Sequence, residues 1–475
     1  MVVPGTAKFA EATGACVGES RSSAEDGGLS PAWDSSEKSF STPSVLTDET
    51  ASASPAREPS AWITAIACCA LSFIIWGFPN SSGVFLAAYQ RSPRYSSQTD
   101  AETLLPMIGP LCTGVLHCSG LFIHPSIRHR PRLRQAFIWA GALICSASLL
   151  GASFTSNAAL LVAFKGAIFG LGASLVYYPA LSCLSDCFVQ RQNVPINAII
   201  VIASNAGGVL FPIILPAIMS RFSIMVAART YAIALAAVLL LSVPFIKSRP
   251  GIRHAHRRTG KAGSPMNIQS RRFWFFVAMN TLQSLGHFVP LAWLPRVAIL
   301  LGLSTAQASL PLALANTTSV VAGFAMGRAR ERCNTKAHAV LTPLFTSAVT
   351  LVLWGVASSS YGGVLAFGIA YGATAGCWAG LWKGLVEPIA DGNPEVAEMM
   401  VDLAMFIRGV GCIVSTPIVI YLQHARVATA QARGTGFAVD EGRFSSVIIY
   451  TGTCFAAAAA LAVLDWALDR RSTRK

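Results

Sequence analysis

The chain has 475 residues, of which 53% are hydrophobic and only 12% charged, and a mean hydropathy of +0.53, so it is too apolar for a soluble protein of this length. Its net charge of +14, from 36 Lys and Arg against 22 Asp and Glu, would suit nucleic acid in a soluble chain, but the basic residues fall in loops between apolar runs, which excludes that role. All cysteines except Cys16 and Cys333 lie in or against apolar runs, so neither disulfides nor a metal centre is expected, the Cys183 and Cys187 pair included.

Residues 1–60 are rich in Ser, Ala, Gly, Pro and Thr without an apolar period, which predicts a disordered cytosolic tail. Apolar runs follow at 61–90, 102–125, 136–155, 157–187, 194–221, 225–246, 273–301, 306–327, 336–357, 360–387, 397–423 and 444–468. Each is long enough to cross a hydrocarbon layer of about 30 Å as a helix, which gives an all-α polytopic membrane protein with twelve spans. Arg128 to Arg134, Arg191, the stretch from Lys247 to Arg272, and Arg328 to Lys336 load the even-numbered connections with positive charge. That bias places both termini in the cytosol, in the plasma membrane or alternatively the vacuolar membrane. The basic linker 247–272 divides the spans into a bundle over 61–246 and another over 273–468, with a cytosolic tail over 469–475. The halves echo each other: Leu105-Pro106 opens the second span and Leu310-Pro311 the eighth, while Gly207, Gly208 and Pro212 in the fifth answer Gly409, Gly411 and Pro417 in the eleventh.

The stretch from Phe164 to Pro216 carries the most information. Gly166, Gly170 and Gly172 line one span and permit close backbone approach. Tyr177, Tyr178 and Pro179 are expected to interrupt it, before a hinge containing Phe188 and Arg191 and a second span with Asn205, Gly207, Gly208 and Pro212. This pattern resembles the fourth and fifth helices of the monocarboxylate-transporter-like branch of the major facilitator superfamily, its fungal members above all. The resemblance implies a six-plus-six helical fold and alternating access. It also sets off differences: where those carriers have a lysine in the first helix this chain has Asn80, and where they have an Asp and an Arg in the eighth it has Ser319 and Gly323.

Charges at mid-membrane are costly and persist where they face a bundle interior or water. Arg408, about ten residues into the eleventh span, is the main candidate for binding an anion, against a structural role on backbone carbonyls or Asp402. Lys165 is a second, against snorkelling to the membrane surface. His287, read as the one histidine well inside a helix, could relay protons or merely pack. Asn80, Tyr177, Asn205 and Trp378 complete the candidate substrate site, and Trp382, Phe288 and Trp293 could form a stacking wall, although aromatic residues in such helices also serve as anchors. Gating or structural roles fall to Arg191, Arg328, Arg330, the pair Lys383 and Glu387, and Gly207, Gly208 and Pro212.

The sequence therefore points to a secondary transporter of a small organic solute, a carboxylate or other organic anion, working by alternating access. An exporter of a larger or neutral secondary metabolite is the alternative, and a non-transporting sensor ranks below both. No enzymatic activity, cofactor or nucleic-acid partner is expected. Proton coupling is an option, membrane lipid is the surrounding partner, and an ancillary subunit is left open.

Overall fold

The computed structural model describes residues 58–188, 196–246, 269–329, 334–424 and 434–472. The tail 1–57, most of the basic linker, and Arg191 and Arg330 lie outside these residues. Twelve long helical spans follow one another among them. They are α1 (Glu58–Arg91), α2 (Ile108–His129), α3 (Leu133–Ala152), α4 (Ala158–Phe188), α5 (Ile196–Arg221), α6 (Ile224–Ser242), α7 (Arg271–Leu300), α8 (Thr305–Ala329), α9 (Thr335–Ser359), α10 (Tyr361–Ala390), α11 (Pro394–His424) and α12 (Ser445–Ser472). Eleven are long and apolar enough to cross a membrane. The other, α7, has the length, at 30 residues, but buries Asn280, Gln283, Ser284 and His287 along one run. Lipid cannot satisfy such groups, so α7 has to turn them toward other helices.

Local chemistry fixes where the spans begin. Asn157, Ser223, Asn334 and Ser360 each accept a hydrogen bond from a first-turn amide at the start of α4, α6, α9 and α10. Gly302 adopts a left-handed φ of 81° just past α7 and turns the chain into α8.

The first six helices pack as α1 on α4, α5 and α6, and α3 on α4 and α6; the last six pack as α7 on α11 and α12, and α9 on α10 and α12. The two groups meet along α2 with α11, α5 with α8, and α1 with α7. Glycines make the closest approaches in both halves. A Cβ on Gly207 would collide with the carbonyl of Phe73 in α1, and one on Gly208 would lie 2.7 Å from Asn80 and 2.8 Å from Asn316 of α8. In the other half, a Cβ on Gly409 would sit 2.6 Å from the carbonyl of Gly114 in α2, and one on Gly411 2.6 Å from Ser284 in α7. The internal echo in the sequence thus has a physical meaning. In α5 and in α11 alike, one glycine packs within its own half and the other across to the opposite half.

Three expectations are corrected. Pro179 does not interrupt α4, which runs as regular helix from Phe169 to Phe188 because neighbouring helices accommodate the ring; the irregular part is a π-turn over Val162–Ile168. The tenth span is broken at Gly376 and Cys377 into Tyr361–Ala375 and Trp378–Ala390. Lys383 and Glu387 are not joined by an ion pair among the described residues; in water such a pair gains too little to hold two long side chains together.

Candidate functional site

Side-chain contacts bridge the halves at both ends of the groove between them. At the end where α1 begins and α12 ends, His124 of α2 meets Asp402 of α11 at 2.6 Å, and Arg128 meets Glu395 at 3.1 Å. At the far end, Arg91 donates to the Thr305 hydroxyl at 3.5 Å, and His424 of α11 lies 3.9 Å from Glu102, which precedes α2. Midway, the Asn316 amide of α8 donates to the Gly208 carbonyl of α5 at 2.8 Å. Arg134 to Asp186 at 2.5 Å, and Arg271 to Asp469 at 2.6 Å, are ties within one half each and leave the groove untouched.

Arg408 sits in the groove, 9% exposed and without an acidic partner among the described residues. Its Nη1 donates to the Gln283 carbonyl oxygen of α7 at 3.4 Å, and its guanidinium carbon stands 5.3 Å from the centre of the Phe288 ring and 5.7 Å from that of Trp382. The guanidinium can only donate, so the Gln283 oxygen faces Arg408 and its amide faces Nδ1 of His287, 3.3 Å away. Nδ1 of His287 is then an acceptor, and its Nε2 carries the hydrogen. Across the groove, His117 of α2 has the opposite tautomer, because its Nδ1 donates to the Thr113 carbonyl at 2.7 Å and leaves Nε2 as a lone pair. Both imidazoles lie against Phe288, His287 at 4.9 Å and His117 at 6.1 Å between ring centres. Trp76 of α1 closes the other side of His117 at 5.3 Å and meets Tyr177 at 5.6 Å.

A small cleft adjoins this layer, lined by Pro79 and Asn80 of α1, Gly109 and Thr113 of α2, Phe288 of α7 and Cys412 of α11. Thr113 and Cys412 are one helical turn from His117 and Arg408, so the cleft and this layer are neighbours that share Phe288.

The other candidates separate. Asn80 lines the cleft and donates to the Ser204 carbonyl at 3.4 Å. Trp378 is spent in packing: its indole N–H donates to Asn280 at 3.0 Å, and Asn280 donates in turn to the Ala404 carbonyl. Asn205 donates to Val201 of its own helix. Lys165 is 1% exposed and does not snorkel. It lies in the π-turn of α4 with Nζ 2.7 Å from the Tyr89 hydroxyl and 4.2 Å from the centre of the Phe85 ring, both on α1, so its partners belong to its own half. Arg328 lies in the last turn of α8, which ends at Ala329. His117 escapes the sequence reading, which takes His287 as the one helix-embedded histidine; the run TGVLHCSG around His117 holds the signal.

No protein-family model matches the chain. A mutant form of the nucleoside transporter NupG superposes with a TM-score of 0.64 over 84% of this chain and 99% of its own, at 12% identity. A D-xylose–proton symporter superposes with a TM-score of 0.61 over 84% and 97%, at 14% identity. The fold is that of the major facilitator transporters. In sequence the chain is similar to the agnestins efflux protein AgnL12 of Paecilomyces divaricatus, at 26% identity over 69% of this chain and 74% of the relative. It is also similar to the MFS-type transporter pytF of Aspergillus terreus, at 23% identity over 57% and 90%. The aspyridones efflux protein apdF of Emericella nidulans matches at 23% identity over 75% and 71%. Similarity to major facilitator-type fungal transporters is thus plain, while the monocarboxylate-like branch within the superfamily does not emerge from these matches.

Proposed function

We propose that the chain is a secondary active transporter that exports an organic anion of the secondary-metabolite kind, with Arg408 anchoring the charge. Relatives named as efflux proteins support the direction and the broad solute class. One observation carries the anionic part: a buried guanidinium between the two halves with no acidic partner among the described residues. A charge in that position is costly unless something of opposite sign meets it, and a solute anion entering the groove would do so.

The bridging contacts at both ends support alternating access as the mechanism. An anion held between Arg408 on α11 and the groups of α2 spans the two halves, so opening either end changes the distance across its site. The imidazoles of His117 and His287 beside it are suited to proton coupling. The plasma membrane, with both termini in the cytosol, is the setting this reading adopts.

The test is transport in proteoliposomes of labelled organic acids and their neutral amides, by the unaltered chain and by Arg408→Gln. Losing a buried charged hydrogen-bonding partner costs about 2 kcal/mol or more, so acid transport should fall at least about thirtyfold while any amide transport persists. Equal rates for acids with and without Arg408 would remove the anion reading and leave a neutral metabolite as the cargo.

A further inference from the structure

The substrate class can be narrowed from groups beside Arg408, on the reading that Arg408 holds an anion. We infer that the solute is a planar, conjugated oxyanion, an aromatic carboxylate or an acid of similar shape, bound by Arg408 and the Trp382 indole N–H together.

Trp378 and Trp382 stand four residues apart on α10, and both are buried. Their indole nitrogens differ. That of Trp378 is satisfied by Asn280, whereas Nε1 of Trp382, on a residue 3% exposed, is buried with no protein partner among the described residues. A buried donor left without an acceptor costs about 1–3 kcal/mol. The Arg408 guanidinium lies against this same ring, so an oxyanion with two oxygens can accept from both groups at once. Nε2–H of His287, also without a protein partner among the described residues, adds a third donor from α7.

The walls set the shape. Phe288, His287, His117 and Trp382 present π faces or edges around the guanidinium, and flat rings meet them in stacked or edge-on contact.

The experiment uses the full-length purified chain in nanodiscs with three probes: 2-naphthoate, its neutral amide 2-naphthamide, and decalin-2-carboxylate, an acid with a saturated ring system. Naphthoate is expected to bind about tenfold more tightly than either of the others. Trp382→Phe, which keeps a ring and removes the donor, should weaken both acids about five- to tenfold and leave the amide unchanged. Phe288→Leu, which removes a wall and no donor, should weaken naphthoate about fivefold and spare the saturated acid; it also stands in if Trp382→Phe fails to fold. Equal binding of the flat and saturated acids overturns the inference, as does naphthoate binding indifferent to both substitutions while Arg408→Gln still abolishes it. If Arg408→Gln is without effect on any acid, the underlying anion reading falls as well.

Discussion

Lys165 and Arg408 are both cations buried at membrane depth, and their surroundings are opposite. Lys165 is enclosed by α1 and α4 of one half, with one hydroxyl and aromatic faces as its partners. Cation–π contacts of desolvated groups are worth about 2 kcal/mol or more, so the box offsets part of the cost of burial without any anion. Arg408 instead lies where α11 faces α2, near a small cleft and beside a donor that has no protein partner among the described residues. A cation whose needs are met inside one rigid half can pass unchanged through a rocking cycle. One at the seam has surroundings that alter whenever the halves move, and that distinguishes a cargo site from an internal support.

The largest effect should separate the two directly. Arg408→Gln is expected to abolish organic-acid transport, while Lys165→Met holds the rate within about threefold, since replacing a buried charge by an apolar group of similar volume is often tolerated. Comparable losses from both substitutions, measured in the same vesicles, would collapse the contrast. Next in size is Tyr89→Phe, which strips the lysine of its oxygen and should lower unfolding stability by about 1–3 kcal/mol in denaturant titration. Adding Lys165→Met to it should recover at least half of that loss. A neutral Tyr89→Phe would show that the hydroxyl does not hold the ammonium.

Smaller effects concern the seam. Asp402→Asn removes the charge from the contact with His124, which weakens it, and should bias the protein toward opening at the end where α1 begins and α12 ends. The native thiol of Cys118, which lies between α2 and α11 against the Phe406 carbonyl, reports this. A shift of about 1 kcal/mol would raise its labelling by a maleimide about fivefold, and unchanged labelling would mean that the contact is no latch. Glu395→Gln breaks an ion pair that is largely in water, so its effect should stay below about 1 kcal/mol and change labelling less than Asp402→Asn does.

Most of the fold could be read from the sequence because lipid leaves few options: apolar runs of bilayer length must be helices, and glycines within them mark close approaches. Arg408 was visible for the same reason, as a charge with no reason to be there except an interior one. What stayed hidden depended on tertiary neighbours. Trp378 and Trp382 share a helix face and look equivalent, and only the position of Asn280 decides which indole is satisfied. The box around Lys165 joins residues 76 positions apart, and the π-turn that holds it has no side-chain signature. His117 was legible in principle, as a histidine in the middle of the second apolar run.

The paired glycines of α5 and α11 carry one more consequence. Where α11 crosses α2, the backbones of Gly409 and Gly114 approach closely with only Ile413 and the Cys118 thiol beside them, so little side-chain bulk resists pivoting at that crossing. Resistance to pivoting then comes from a handful of removable catches such as Asn316 on Gly208. Such a crossing is independent of the groove lining. Residues like Phe288 and Trp382 can be exchanged to suit another cargo without retooling the machinery that moves it.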